Sequence, residues 1–294
     1  MTLRAFLSLC RIPNVFTAFA NVAAGALLAR GHFEERDLLL LAASGCLYLA
    51  GMVLNDYFDR DIDAMERPGR PIPAGQVSAG SALLLGLALV GAGVGLAASF
   101  SPLAAAVAAA LACAILLYDG GAKAGSIGPL VMGACRFLNV CLGLTVAGAA
   151  VPAGWMWIAP LTMGAYTAAI TYLSRDEVGG SSAARARRGV AWVAVTLIGA
   201  LVALAAASPA SGLAGFAWLT PFAGFVAWRA RAVFGPALAA PTGPAIGRAI
   251  GGGILLMPAI DAAMVAASGL PGAGLAVLAL MLPAWMLKQR FYMT

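Results

Sequence analysis

The stretch LNDYFDRDIDAMERPGRPIPAG, residues 54–75, holds four aspartates, three arginines and three prolines. The remainder of the 294-residue chain is nearly uncharged, so that only 10% of all positions are charged and 62% are hydrophobic. Soluble domains carry about 25% charged residues. The composition therefore excludes an ordinary soluble protein and marks an integral membrane one, in which acids and bases are concentrated where an apolar run ends.

Outward from that stretch, apolar runs of about 17 to 25 residues, long enough to cross a bilayer as helices, recur along the chain. Candidate spans are Ile12–Ala29, Leu38–Leu54, Ala79–Ala98, Leu103–Tyr118, Gly128–Ala149, Trp155–Leu173, Val190–Ala207, Leu213–Ala227, Ile250–Ala267 and Leu270–Leu287. Lipid admits only helices or closed barrels, and these continuous runs lack the period-two alternation of barrel strands. The sequence thus predicts an all-α fold: one polytopic membrane domain over residues 1–294, a bundle of nine to ten transmembrane helices. Met1–Ala29 runs on into a full span and does not read as a cleavable signal peptide.

Lys and Arg in short loops stay on the cytoplasmic side. With the N-terminus inside, all 18 basic residues except Arg30, Arg36 and Arg136 fall on cytoplasmic segments. The net charge of +6 is then a topology signal and calls for no nucleic acid. The expectation is a multi-pass protein of the cell inner (plasma) membrane, with both termini and the polar stretch facing the cytoplasm. The five cysteines show no CxxC spacing and read as packing residues.

If the second helix continues past Leu54, then Asp56, Asp59 and Asp63, at offsets of three and seven, share one face, and Asp61 points elsewhere. Three carboxylates on one face repel one another and call for a cation. Mg²⁺ binds through one or two carboxylates and keeps water and substrate phosphates in its shell. Arg67 and Arg70 follow in a segment broken by Pro68, Pro71 and Pro73, which cannot stay helical and can fold back. Arginine suits phosphate oxygens. The rival reading is a solvated loop whose charges pair locally.

NDYFDRDID followed by RPGRPIPAG resembles the first aspartate-rich motif of the UbiA superfamily of intramembrane prenyltransferases, N-D-x-x-D-x-x-x-D with a following R-P-x-P-x-G element. Asn55, Asp56, Asp59 and Asp63 match the motif; Arg70, Pro71, Pro73 and Gly75 match the element. RIPNVFTAFANVAAGALLA is similar to the family's opening helix, with Arg11, Asn14 and Asn21 as its polar positions. LYDGGAKAGSIGPLVMGACRFLNVCLG resembles the stretch where the family carries a Tyr, a phosphate-binding Lys and a polar fifth helix, giving Tyr118 and Lys123 those places. With the terminal RFYMT, the pattern is most similar to the EboC-like branch.

The resemblance implies a bundle around a lipid-accessible cavity in which Mg²⁺, carried by the aspartates, grips an isoprenyl diphosphate. The leaving diphosphate is neutralised, the allylic bond ionises and the carbocation alkylates an aromatic or lipid-like acceptor. The family's second acidic motif falls on TYLSRDEVGGSSAARARRG, where Asp176 and Glu177 stand for its start and glycines and serines occupy the positions of further acids. Two outcomes follow: an active enzyme using Asp176 and Glu177, or an altered protein that binds or transports a prenyl or other lipid without transferring it.

Within the spans, Arg136 and, one turn on, Asn139 are expected to face the cavity, because a charge inside a span costs about 2.5 to 3.5 kcal/mol on insertion scales. Asp261 stands alone and is open to three roles: pairing with Arg136, touching substrate or supporting the bundle. His32, among acids in an outer loop, reads as solvated. DGGAK at 119–123 matches only the opening of the alcohol phosphatidyltransferase signature, with its spacing off by one.

Overall fold

A computed structural model describes residues 9–148, 153–175, 183–207 and 213–288. The described residues form helices α1 (Val15–Arg30), α2 (Leu38–Phe58), α3 (Arg60–Glu66), α4 (Ala79–Phe100), α5 (Pro102–Asp119), α6 (Gly128–Leu144), α7 (Ile158–Ser174), α8 (Ala183–Ala207), α9 (Leu213–Ala239), α10 (Gly243–Ala267), α11 (Pro271–Ala279) and α12 (Met281–Lys288), with short 3₁₀ turns between them. There is no strand among them.

Several helix starts are written locally. Ser78, Ser101 and Thr242 each accept a hydrogen bond on their side-chain oxygen from the backbone N–H three residues on, at Ser81, Ala104 and Ala245. Such caps satisfy N–H groups that a helix end leaves without partners. Pro102 and Pro244 lie in the first turn, where a missing N–H costs nothing.

Seven of the helical segments are long and apolar enough to cross a membrane, and Pro271–Leu287 is a shorter apolar one. The chain is an integral, multi-pass membrane protein. Its helices pack in sequence around a closed circuit: α2 lies against α1, α4 and α5, α6 bridges α5 and α7, α8 and α9 follow, and α10 returns to α1. The α10 window is 94% buried and that of α1 72%, against 17% for α4 and 11% for α8. Leu84 and Leu87 on α4, and Val195, Ile198 and Val202 on α8, are exposed, as expected of helices that face lipid.

The α1–α6 crossing is close enough to require glycine. A Cβ on Gly143 would sit 2.2 Å from the Val22 carbonyl oxygen, and one on Gly25 2.4 Å from that of Val140. Small residues let backbones approach in this way inside membranes.

Several boundaries differ from the sequence reading: α2 runs on to Phe58, and α8 and α10 begin at Ala183 and Gly243, seven residues before the expected Val190 and Ile250. The last apolar run, Leu270–Leu287, is two helices broken at Leu280; Pro283 has no N–H to offer the Ala279 carbonyl, which ends the first helix. Helix α9 runs on past Ala227 to Ala239, so that Arg229 and Arg231 lie on a helix and not in a loop. An apolar window stops at a charge, whereas backbone hydrogen bonding does not.

Candidate active site

The acidic stretch folds as one nearly continuous helical face. Helix α2 ends at Phe58, Asp59 is the joint (φ −89°, ψ −1°), and α3 begins at Arg60. The ladder persists across the joint, since the Asp59 N–H bonds to the Asn55 carbonyl at 2.9 Å and the Asp63 N–H to that of Asp59 at 2.8 Å. Asp56 and Asp63 are each 4% exposed. Asp61 is 82% exposed at its side chain and faces away.

The proline-broken segment then turns back. Arg70 Nη1 lies 3.2 Å from Asp56 Oδ1 and 2.6 Å from Asp63 Oδ2, so one nitrogen bridges two carboxylates. Arg11 Nη2 reaches Asp56 Oδ1 at 3.1 Å. Among the described residues Arg11 is the one non-glycine with positive φ (44°), a strained conformation that aims its side chain at the acidic face. Lys123 Nζ pairs with Asp59 Oδ1 at 2.5 Å. Arg67, by contrast, ends α3 with its backbone N–H on the Asp63 carbonyl, and its side chain makes no hydrogen bond or ion pair with the described acids.

Below this charged rim lies a cavity of about 270 Å³ walled by α1, α2, α5, α6, α7 and α10. Its apolar wall includes Leu47, Leu111, Ile115, Ile250, Ile254 and Met257, and its polar wall includes Arg11, Asn14, Asn55, Tyr118, Asp119, Arg136 and Asn139. Asn14 Oδ1 and Thr167 Oγ1, both on residues of that wall, are buried without a hydrogen-bond partner. Polar atoms left this way are costly unless a ligand or water meets them.

Arg136 faces the cavity and is also tied behind it. Nη1 donates to Asn21 Oδ1 (3.2 Å), Nη2 donates to Thr17 Oγ1 (3.0 Å), and the guanidinium lies 5.7 Å from the Tyr48 ring centre. Asn21 Nδ2 donates to Asp261 Oδ2 at 2.7 Å. Asp261 is therefore joined to Arg136 through Asn21, which selects a combination of the first and third of its three possible roles. Asn139 donates from Nδ2 to the Ala18 carbonyl (3.0 Å) and accepts from Ser44 Oγ (2.7 Å), tying α6 to α1 and α2.

Asp119 was not singled out by the sequence reading. It ends α5 on the cavity wall, 4% exposed, and accepts a 3.0 Å hydrogen bond on Oδ1 from Asn55 Nδ2. Its position between Tyr118 and Lys123 at the end of an apolar run is the signal that could have found it. Cys10 lies beside the acids, but burial, with the Asp56 carboxylate adding to it, pushes its thiol up to about 12; it stays protonated and unreactive. Asp176 and Glu177 lie outside the described residues.

Among the described residues no three His, Cys, Asp or Glu side chains gather into a ready-made metal site. Two hard carboxylates nevertheless converge on one cationic nitrogen at Arg70. That donor set fits Mg²⁺ held by one or two carboxylates, its remaining shell made of water and phosphate oxygens.

A model of the UbiA prenyltransferase family matches residues 17–243. Digeranylgeranylglyceryl phosphate synthase of Methanopyrus kandleri is 32% identical over 161 residues, 53% of this chain and 58% of that one. The synthase of the same name from Ignicoccus hospitalis is 37% identical over 121 residues, 41% of this chain and 40% of that one. The chain thus spans about half the length of these curated relatives. Among solved structures, a UbiA homolog from Aeropyrum pernix K1 superposes with a TM-score of 0.66 at 21% identity, covering 90% of this chain and 97% of that one. A UbiA homolog from Archaeoglobus fulgidus bound to DMAPP and Mg²⁺ gives 0.65 at 13% identity, covering 93% and 99%. At those identities the likeness establishes the fold.

Proposed function

Because this chain belongs to the UbiA prenyltransferase family, we propose that it transfers a prenyl group from an isoprenyl diphosphate to a hydrophobic acceptor within the membrane, in a Mg²⁺-dependent reaction. The observation that carries this reading is Arg70 bridging Asp56 and Asp63 beside an apolar cavity that Arg11, paired to Asp56, helps to line.

Asp56, Asp59 and Asp63, with Asp176 and Glu177, are the proposed metal ligands. Mg²⁺ bound there would neutralise the charge of the departing diphosphate. Arg11, Arg70 and Lys123, now paired with acids, would turn their donors to phosphate oxygens, where positive charge favours ionisation of the allylic bond. The aliphatic wall takes the prenyl chain, whose burial contributes about 0.8 kcal/mol per methylene, and keeps water from the carbocation. The Tyr118 ring on the same wall offers an aromatic face to that cation.

The name shared by the relatives makes a glyceryl phosphate lipid the first acceptor to try and an aromatic one the second. The distribution of basic residues supports an inner-membrane protein whose cavity mouth faces the cytoplasm. The stretch LYDGGAKAGSIGPLVMGACRFLNVCLG supports a place in the EboC-like branch.

The test is incubation of detergent-purified protein with Mg²⁺ and radiolabelled prenyl diphosphates of several chain lengths, with acceptor lipids present. Diphosphate release together with a prenylated product is expected. Prenyl lipid binding without release from any donor would replace the enzyme by a lipid-binding or transport protein.

A further inference from the structure

We propose that Asp119 is the catalytic base of the transfer, taking the proton that the acceptor must lose. This rests on the prenyltransferase reading and goes beyond it, since diphosphate departure alone does not say where the acceptor's proton goes.

The reaction balance sets the requirement. The allylic C–O bond breaks with its electron pair leaving on the diphosphate. A lone pair of the acceptor hydroxyl forms the new C–O bond. The O–H bond breaks, its electron pair stays on the ether oxygen, and a proton must be accepted inside a cavity that excludes water.

Few groups meet that requirement. The chain has one histidine, His32, and it lies on the outer loop hydrogen-bonded to Glu34. Asp56, Asp59 and Asp63 are each paired with Arg or Lys, and none of the three lines the cavity. Among the described residues Asp119 is the one acid on the cavity wall, and it forms no salt bridge, although the Lys123 and Arg11 charges lie near enough to act on it. Its carboxylate is oriented, because Asn55 Nδ2 holds Oδ1 at 3.0 Å, while Oδ2 takes no hydrogen bond from a described residue. Asn55 immediately precedes Asp56 in the helix, which couples the base to the rim where the donor's diphosphate is expected. A base held by one oxygen and open at the other is the arrangement proton abstraction needs.

The decisive experiment compares full-length wild type with Asp119→Asn, a change that keeps the shape and an oxygen for Asn55. Each protein is given tritiated geranylgeranyl diphosphate, Mg²⁺ and a membrane lipid extract as the acceptor source, and diphosphate release and prenylated lipid are measured separately. Retained binding of the unreactive geranylgeranyl thiolodiphosphate checks that the variant is folded. The expected result is transfer slowed by about 100-fold or more, the usual worth of a positioned base, with analogue affinity within about twofold and release falling far less than transfer, the uncaptured prenyl cation being taken by water that enters in place of the acceptor and leaving as the prenyl alcohol. Release and transfer lost in equal proportion would instead make Asp119 part of the diphosphate or metal machinery, and unchanged transfer would remove it from catalysis; either overturns the assignment. Absence of release by the wild type with every donor would overturn the prenyltransferase reading, and this proposal with it.

Discussion

Asn21 Nδ2 donates a 2.7 Å hydrogen bond to Asp261 Oδ2, joining α1 to α10 where both side chains are fully buried. The same amide accepts from Arg136 through its oxygen. A guanidinium on the cavity wall is thus linked to a buried carboxyl group behind it, with one amide aligned between the two. Asp261→Leu removes the acceptor of the Asn21 amide and is expected to destabilise the protein by about 1 to 3 kcal/mol, the usual cost of leaving a buried donor unsatisfied. Arg136→Met in the same chain should recover part of that loss by freeing Asn21 to repack, as read by thermal unfolding in detergent; a double variant as unstable as the sum of the two singles would show the two groups to be independent.

Asp56→Ala and Asp59→Ala should each reduce turnover to below about one hundredth of wild type, since removing a group that holds charge developing in the transition state costs on that order. Both should still elute from gel filtration as assembled protein, because the two side chains lie at the rim and not in the helix packing. Full activity in either variant would contradict the assigned roles.

Chelation should stop transfer, and added Mg²⁺ should restore it. A hard cation suits the carboxylate oxygens at the rim. Turnover that persists in excess EDTA would mean that Arg11, Arg70 and Lys123 suffice to hold the diphosphate.

Arg70→Lys tests the bridge. The guanidinium spans Asp56 and Asp63, whereas an ammonium is a point charge without the planar fork. The expected result is a rise of about tenfold in the KM for the prenyl diphosphate, equivalent to about 1.4 kcal/mol, with a smaller change in kcat. Unchanged steady-state constants would assign Arg70 to a structural pair alone.

Gly143→Ala should be strongly destabilising, because the new methyl would meet the Val22 carbonyl oxygen at 2.2 Å and push α1 from α6. Overpacking of this kind typically costs about 1 to 3 kcal/mol. Gly91→Ala on α4 meets nothing within 4 Å and should be neutral or slightly stabilising. Similar melting temperatures for the two variants would show that the α1–α6 contact yields readily.

The run from Leu54 to Gly75 made much of the site legible in one dimension. Asp56, Asp59 and Asp63 recur at helical spacing and the prolines after them force a return, which brings Arg70 near the acids. The same proline-broken segment carries Arg67, and the structure separates the two arginines: Arg67 is the residue on which α3 ends, while Arg70 lies beyond the turn. Asp119 gave a weaker signal, since its partner Asn55 is 64 positions away and nothing local marks that contact.

What the sequence determined by itself is the class of fold. Backbone groups in lipid must be satisfied within each segment, so apolar length without strand alternation specifies helices. What only the tertiary structure decided is which polar side chains share a wall. Arg136, Asn21 and Asp261 lie on three helices far apart in the chain, and their linkage depends on helix rotation and close approach, as at Gly25 and Gly143. Those are set by side-chain packing between distant segments, which no local period encodes.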